Sequence, residues 1–475
     1  MTQMTQIPTI AEATAAFAAK TMSPVELTQD CLARVRALDP ELHAFVTLTE
    51  DRALSDARKA EAEIMKSGPR SKMHGIPVGL KDIVDTKGIL TTCQSRFLAT
   101  NIPDADATCA ASLDAAGSVL MGKLTTHEFA DGGPSFDLPH PPARNPWNTD
   151  HFTAGSSSGT GAAVAAGLVL AGIGTDTGGS IRGPAALCGI AGLKATYGLV
   201  SRAGVAPAAY SLDHIGPMCW TVEDCAIMLQ SIAGHDPADP ASADRPVPDY
   251  VTGLADGVKG LRIGVVRHFH EVDHPVSEAT QASISEAIRL YEAAGATVVD
   301  VTLPSLQDWS ACGFLISAAE RLAAYEDWAM TRLDTFSARV RDRMFLGSFV
   351  SGSDYLQAAR FRRELCAEMA TVMQDVDILL TASNPGEAPR IDQIPRWDNL
   401  VKPNFTFPFN VAGTPALSLC GGFGPQGLPL GLQLAAKPFA EPLLLQAGHF
   451  YEMATKWRGQ RPALVPVKEL AEMPA

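Results

Sequence analysis

The segment from Thr153 to Tyr197 carries two short turns that are rich in glycine and serine. The first reads AGSSSG over residues 154–159, and the second reads GTDTGGS over residues 174–180. Glycines this closely spaced indicate tight backbone turns or a close approach to a ligand, because glycine adopts conformations that other residues avoid. Serines set among them can present a hydroxyl group to a cleft. The segment therefore predicts an active site for acyl transfer.

Ser180 ends the second turn and is the predicted nucleophile. Successive backbone N–H groups in such a turn can converge on an anion, as an oxyanion hole requires. A serine hydroxyl also needs a base, and the glycine-rich segment contains no histidine. Lys81 is the alternative, because it lies inside the apolar run 76–84, where burial can keep an amine neutral. Ser–Lys pairs are a known variant of the catalytic triad, and Ser156 could relay the proton.

Other interpretations of the same residues were open. Taken alone, Lys81 also fits a surface lysine on an edge strand, or an ion pair with Asp82 or Asp85. Residues 155–159 fit the G-x-S-x-G nucleophile elbow, but that elbow follows a buried strand, and no such strand precedes this one. Residues 176–178 fit the aspartic-protease triplet, which needs a second copy that the sequence lacks. The Ser–Lys interpretation is preferred over these motifs.

The sequence resembles the amidase signature family. The family pattern of a G-G-S-S-G-G-S turn, a small-residue helix and a G-T-D-x-G-G-S-I-R turn is matched between Ala154 and Tyr197. Ala154 and Ser158 replace glycines of that pattern, Thr125 replaces a common asparagine, and Gly183 replaces a larger residue. The resemblance covers nearly the whole chain, with further matches at Gly75–Asp82, Gly122–Ala130, Arg144–Trp147, Phe405–Asn410, Gly413–Ser418 and Gly427–Gln433.

This resemblance implies a Ser–cisSer–Lys triad. Lys81 would act as general base and acid, Ser156 would follow a cis peptide bond and relay the proton, and Ser180 would attack the carbonyl. The remaining implied residues fall into three groups. They are an oxyanion hole from the amides of Thr177, Gly178, Gly179 and Ser180, a supporting polar network of Ser157, Asp176 and Arg182, and pocket walls at Phe129, Asp131, Gly132 and Gly133.

Alternating strand and helix patterns predict an α/β fold, an α/β/α sandwich with a large central mixed sheet covered by helices on both faces. We expect one domain over residues 1–475. Its core would span roughly 60–235 and 376–460, with an N-terminal helical wrap over 8–60 and an inserted strand–helix lobe over roughly 255–375. Residues 162–173, between the two turns, are expected to form a buried helix.

Composition excludes several classes of partner. The chain has 475 residues and a net charge of −14, which repels nucleic-acid phosphates. The N-terminus lacks the basic and apolar regions of a signal peptide, and the longest apolar run is too short to cross a membrane. Nine scattered cysteines form no C-x-x-C pair, so no metal site or disulfide framework is expected. We expect a cytoplasmic protein without membrane contact, metal or organic cofactor. Whether it forms a homodimer is left open.

The predicted function is hydrolysis of a carboxylic amide, or of a related carbamate or urea-like C–N bond, through an acyl-enzyme on Ser180. The expected partner is a small amide-type molecule, and its identity is left open. One alternative is a glutaminase-like subunit of a tRNA-dependent amidotransferase complex. Another is a binding protein on the same fold without catalysis, against which the presence of Lys81, Ser156 and Ser180 argues.

Overall fold

The computed structural model describes residues 7–397 and 402–464. Its central feature is one mixed sheet of eleven strands, in the spatial order β1-β3-β2-β4-β6-β5-β10-β11-β9-β7-β8. The strands are β1 Phe45–Leu48, β2 Pro77–Lys81, β3 Val119–Leu124, β4 Ala171–Asp176, β5 Ala191–Lys194, β6 His214–Cys219, β7 Arg262–Val265, β8 Thr297–Asp300, β9 Ile378–Ala382, β10 Ala416–Phe423 and β11 Pro429–Ala436. The predicted mixed central sheet is thereby confirmed.

Helices cover this sheet. Every residue of β2, β3, β4 and β11 is buried, and because successive side chains point to opposite faces, both faces of the sheet are covered. The longer helices are α1 Ile10–Ala19, α2 Pro24–Leu42, α3 Glu50–Ser67, α4 Thr108–Ala116, α5 Ser158–Ala165, α6 Arg182–Cys188, α7 Val222–Ile232, α8 Glu278–Ala293, α9 Leu306–Arg332, α10 Ala338–Gly347, α11 Gly352–Asp375, α12 Phe407–Val411 and α13 Glu441–Ala454. Over the described ranges, no helix is both long and apolar enough to cross a bilayer.

The small-residue run between the two glycine-rich turns is where the sequence prediction was wrong. Residues 162–173 do not form one helix. Helix α5 ends at Ala165, the chain turns at Gly167, whose φ of +67° suits glycine, and strand β4 begins at Ala171. Because the run is apolar throughout, its helical and extended halves have the same periodicity and could not be separated by pattern.

The segment predicted as an inserted lobe joins the same sheet. The predicted strand–helix–strand unit is confirmed as β7, α8 and β8, and the two strands pair in parallel at the far edge. Strand β7 also pairs in parallel with β9, which returns to the centre of the molecule. The boundaries of the domain, the wrap and the lobe stay predictions from the sequence.

The sheet places the predicted site residues at one edge. Strands β2 and β4 are parallel neighbours, so their carboxyl ends lie side by side, a common location for sites in α/β proteins. Strand β2 ends at Lys81, and β4 ends at Asp176, where the second glycine-rich turn begins. The first turn leads directly into α5, which packs against β2, β3 and β4. Pairing of the two strands thus brings together residues that lie far apart in sequence.

Candidate active site

Lys81 is the most deeply buried member of the predicted triad, with no exposed surface. Its Nζ lies 2.6 Å from Oγ of Ser156 and 2.7 Å from Oγ1 of Thr175. Burial lowers the pKa of Lys81 from its ordinary value of 10.5 to about 7, although the more distant carboxylates of Asp176 and Asp213 act in the opposite direction. The lysine therefore has an amine that can be neutral near physiological pH.

Ser156 lies on the first turn. It contacts Lys81 and lines a cavity that is described below. The peptide bond between Gly155 and Ser156 is cis, as the family resemblance implied. The Ser156 carbonyl accepts a hydrogen bond from the His127 amide at 3.0 Å. Glycine is required at position 155, because a Cβ there would lie 2.0 Å from Cε1 of the His127 ring.

Ser180, the predicted nucleophile, is partly exposed on the second turn and lines the same cavity as Ser156. The two turns are joined directly, since the Ser157 amide donates to the Ser180 carbonyl at 3.2 Å. Gly179 has a φ of +124°, and a Cβ there would lie 2.2 Å from Oγ1 of Thr406. The sequence thus uses glycine where the backbone turns sharply beside the reactive serine.

One predicted member of the oxyanion hole is engaged elsewhere. The Gly179 amide donates to Oδ1 of Asp176 at 2.8 Å, so its predicted role in the oxyanion hole stays a prediction. The amides of Thr177, Gly178 and Ser180 have no hydrogen-bond partner within residues 7–397 and 402–464. These three amides are the donors left in the turn for a developing negative charge, which is what an oxyanion hole requires.

Asp176 and Arg182 form the rigid base of the second turn. Both side chains are fully buried, and the guanidinium binds the carboxylate through two hydrogen bonds of 2.9 and 3.0 Å. Burial alone would raise the pKa of Asp176, but the adjacent guanidinium holds it below its ordinary value. Arg182 also donates to Oε1 of Gln433 and Oδ1 of Asn410. The predicted pair is therefore present, and it anchors the turn to the C-terminal segment.

Ser157, the third predicted member of that network, has different partners. Its Oγ donates to the Thr175 carbonyl at 3.3 Å and accepts from the Thr175 amide at 3.2 Å. Ser157 is thus bound to the backbone of β4 and of Ser180, whereas the Asp176–Arg182 pair is completed by Asn410 and Gln433. The prediction placed Ser157 in the wrong set of contacts, because sequence spacing does not show how the turns face each other.

Two polar residues of the site were missed at the sequence level. Thr175 is the second hydrogen-bond partner of Lys81, and Asn410 donates to both the carboxylate and the carbonyl of Asp176. A threonine inside an apolar strand is ordinary, so Thr175 carried no separate signal. Asn410 ends the family match Phe405–Asn410, in which the resemblance gave its asparagine no role. That motif was the available signal.

A cavity of about 270 Å³ opens onto both turns. Asp131, Gly132 and Gly133 line it, as predicted. Phe129 does not, and its assignment to the pocket was wrong. Its side chain is 1% exposed and packs against the rings of Tyr325, Trp328 and Phe336. This aromatic cluster lies behind the segment that carries Asp131 and holds it in place.

Arginines dominate the charge of this cavity. Arg321, Arg339 and Arg343 all line it, and Asp131 accepts from Arg343 at 2.9 Å and lies 3.1 Å from Arg321. Glu387, the other carboxylate of the wall, accepts two backbone N–H groups. Burial lowers the pKa of the nearby His127 to about 3, so its ring is neutral. Arg321 and Arg343 therefore share the single carboxylate of Asp131.

The site shows no donor set for a metal. Within the part of the chain that the structure describes, no cluster of three or more histidine, cysteine, aspartate or glutamate side chains could hold an ion. The polar groups that meet at the two turns are a lysine, hydroxyl groups and backbone amides, with Asp176 committed to Arg182. Such an arrangement can transfer a proton along hydroxyl groups and can bind an oxyanion.

Comparison with known proteins identifies the family of this chain. A family model described as "Amidase" matches residues 26–445. The A subunit of the glutamyl-tRNA(Gln) amidotransferase of Geobacter metallireducens is 41% identical over 471 residues, which cover 93% of this chain and 96% of the relative. The chain therefore belongs to the amidase signature family, hydrolases that act on C–N bonds.

Solved structures of two kinds resemble the chain closely. The native peptide amidase of Stenotrophomonas maltophilia superimposes with a TM-score of 0.83 at 31% identity, covering 96% of this chain and 98% of its own. The corresponding A subunit of the glutamyl-tRNA(Gln) amidotransferase of Thermotoga maritima gives a TM-score of 0.79 at 34% identity, with 94% of each chain covered. The relatives therefore include both peptide amidases and amidotransferase subunits.

Proposed function

We propose that the protein is an amidase that hydrolyses a small carboxylic amide, or a related C–N acyl bond, through an acyl-enzyme on Ser180. The observation that carries this proposal is the 2.6 Å contact between Nζ of Lys81 and Oγ of Ser156, beside the cavity that Ser156 shares with Ser180. A neutral amine in that position is a base within hydrogen-bond reach of a hydroxyl relay.

The reaction follows from these groups. As Oγ of Ser180 attacks the carbonyl carbon, its proton passes to Oγ of Ser156, whose own proton passes to Nζ of Lys81. The amides of Thr177, Gly178 and Ser180 donate to the resulting oxyanion. The proton then returns through Ser156 to the leaving nitrogen, the C–N bond breaks, and an amine or ammonia departs. Water then gives a proton to Lys81 through Ser156 and attacks the ester on Ser180. The ester bond breaks, the carboxylic acid leaves, and the proton returns from Lys81 to Oγ of Ser180.

The charge of the cavity supports a preference among amides. Because Arg321 and Arg343 share the single carboxylate of Asp131, we propose that an amide with a carboxylate elsewhere in the molecule is favoured. Valeramide and its ω-carboxylate and ω-ammonium derivatives form a matched series of equal chain length. We expect kcat/KM to be highest for the carboxylate and lowest for the ammonium compound. An equal kcat/KM for the three would contradict this preference without affecting the triad.

A second candidate function is the glutaminase-like component of a tRNA-dependent amidotransferase. The relatives named as the A subunit of glutamyl-tRNA(Gln) amidotransferase, at 41% identity over nearly the whole chain, support it. Such a component would release ammonia from glutamine and pass it to partner proteins. The two candidates differ in what the isolated chain does. Efficient hydrolysis of amides by the purified chain alone favours the amidase, whereas hydrolysis that depends on added partner proteins favours the second candidate.

The experiment that tests the proposed chemistry is covalent capture of the nucleophile. The chain is treated with an electrophilic acyl trap, such as a fluorophosphonate, and the modified peptide is found by mass spectrometry. We expect label on Ser180, none in Ser180→Ala, and full labelling in the control Ser158→Ala. Ser158 lies on the first turn, and its Oγ donates to the Thr125 carbonyl. Label on another residue, or turnover by Ser180→Ala, would contradict the proposal. The cytoplasmic location and the homodimer stay predictions from the sequence.

A further inference from the structure

A second cavity, of about 500 Å³, adjoins the site through Thr175. Thr175 lines it and accepts from Lys81, whose other partner, Ser156, lines the first cavity. Lys81 therefore lies between the two cavities. Most of the second wall is apolar, with contributions from Ile83, Val205, Ala206, Pro207, Ala208 and Ile215. A space of this size and lining is typical of a small-molecule site.

The charges on this second wall leave one carboxylate in excess. Arg202 and Asp239 both line the cavity and neutralise each other through two hydrogen bonds of 2.8 and 3.0 Å. Burial lowers the pKa of His214 far below its ordinary value, so this ring adds no charge. The remaining acidic group is Asp213, which is partly exposed and has no arginine or lysine in hydrogen-bond contact among the described residues. Burial raises the pKa of Asp213, and the hydrogen bonds from Thr177, Ala208 and Ala209 oppose that effect by favouring the carboxylate.

Asp213 also holds the catalytic turn. Its Oδ1 accepts from Oγ1 of Thr177 at 2.6 Å, and its carboxylate accepts from the amides of Ala208 and Ala209 at 2.8 to 3.0 Å. These neutral donors fix the position of the carboxylate without cancelling its charge. A carboxylate fixed in an apolar recess attracts a cation more strongly than it would in water, because the surroundings screen its field less.

We propose that the second cavity binds a small organic cation, with its ammonium group toward Asp213 and its apolar body against the wall around Val205 and Ala206. In the first cavity, Arg321 and Arg343 share the single carboxylate of Asp131, so the same cation is disfavoured there. The site is separate from the proposed function, because it needs neither turnover nor the nucleophile. Its occupant would nevertheless contact Thr175 and Asp213, which hold Lys81 and the oxyanion turn.

The test uses benzylammonium chloride as the probe and isothermal titration calorimetry on the full chain. We expect one equivalent to bind at least tenfold more tightly than benzyl alcohol, which has the same shape and no charge, and more tightly than phenylacetate. Asp213→Asn, which keeps the shape and removes the charge, should weaken benzylammonium binding about tenfold. Ala206→Trp, which fills the cavity, should abolish it. Equal affinity for the charged and neutral probes would overturn the proposal.

Two further measurements locate the bound probe. Phosphonylation of Ser180 by the fluorophosphonate blocks the first cavity and should leave benzylammonium affinity within twofold. Loss of binding would place the probe there and overturn the proposal. A crystal soaked with 4-bromobenzylammonium should show its anomalous bromine peak beside Ala206, and this readout holds even if Asp213→Asn fails to fold. A peak beside Ser180, or none at saturating probe, would contradict the second site. Neither outcome depends on whether the chain hydrolyses amides.

Discussion

Two buried lysines on neighbouring strands show how this fold separates a structural charge from a reactive amine. Lys81 on β2 and Lys123 on β3 lie one register position apart, and neither has exposed surface. Lys123 has its Nζ 3.8 Å from Oδ1 of Asp82 and donates to the Val84 carbonyl and to Oγ1 of Thr91. Burial lowers the pKa of both lysines. At Lys123, the Asp82 carboxylate is the group that most strongly opposes this effect.

The difference lies in the partner rather than in the depth of burial. A buried ammonium with a buried carboxylate beside it is a compensated pair, and removing either partner leaves an unpaired charge. Among the described residues, Lys81 contacts the hydroxyl groups of Ser156 and Thr175, which carry no countercharge for an ammonium group and can donate to a neutral amine. Its neutral form is therefore within reach near pH 7, which is the condition for a general base.

The largest contrast is expected in turnover. Lys81→Met keeps an unbranched side chain of similar length and removes the base, so kcat/KM should fall by about 10³ to 10⁴-fold. Lys123→Met, measured at a temperature where it remains folded, should keep kcat/KM within about tenfold of wild type, since Lys123 touches neither the turns nor the first cavity. Steady-state kinetics on the preferred amide test both variants. Comparable losses in the two would mean that Lys81 also acts only through structure.

The reverse contrast is expected in stability. Lys123→Met leaves the Asp82 carboxylate buried without its cation, and the free energy of unfolding should fall by about 3–5 kcal/mol. Lys81→Met leaves no carboxylate in contact unpaired, so its free energy of unfolding at pH 7 should equal or exceed that of wild type. Urea denaturation followed by circular dichroism measures both, and the double variant Asp82→Asn/Lys123→Met should recover part of the loss. A larger destabilisation by Lys81→Met would contradict the distinction between the two lysines.

Only Lys81 received a role from the sequence. It stands in an apolar run and in the family match Gly75–Asp82, whereas Lys123, inside the match Gly122–Ala130, received none. The sequence also offered Asp82 as a partner for Lys81, but the alternation of side chains along β2 points adjacent residues to opposite faces. Asp82 therefore meets Lys123 on the neighbouring strand. Which lysine is paired depends on strand register, which no local pattern contains.

Contacts that no local sequence pattern contains also explain the corrected parts of the site. The order of elements, the central sheet and the two turns follow from periodicity and from motifs that are continuous in sequence. The partners of Ser157 and the burial of Phe129 depend on contacts between distant segments. Thr175 became a site residue only because β4 lies beside β2.

An intermediate effect is expected in the pH dependence. Activity requires Lys81 in its neutral form, so a pKa of about 7 predicts that kcat/KM falls tenfold per pH unit below 7 and is level above it. Lys123→Met should leave this limb in place, because the paired lysine does not titrate in the reaction. Asp213→Asn should move the limb to lower pH, since the Asp213 carboxylate favours the charged form of Lys81. A limb below pH 5, typical of a carboxylate, would contradict a lysine base.

The smallest effect is expected at the threonine hydroxyl groups, one of which contacts each lysine. Thr175→Val removes one hydrogen bond to Lys81, worth about 0.5–1.5 kcal/mol, so kcat should fall roughly 2- to 12-fold with KM unchanged. Thr91→Val is the matched control, because Oγ1 of Thr91 accepts from Lys123 at 2.6 Å in the same way. It should lower the free energy of unfolding by a similar amount without changing kcat. If both variants lowered only stability, Thr175 would support the strand and would not orient the base.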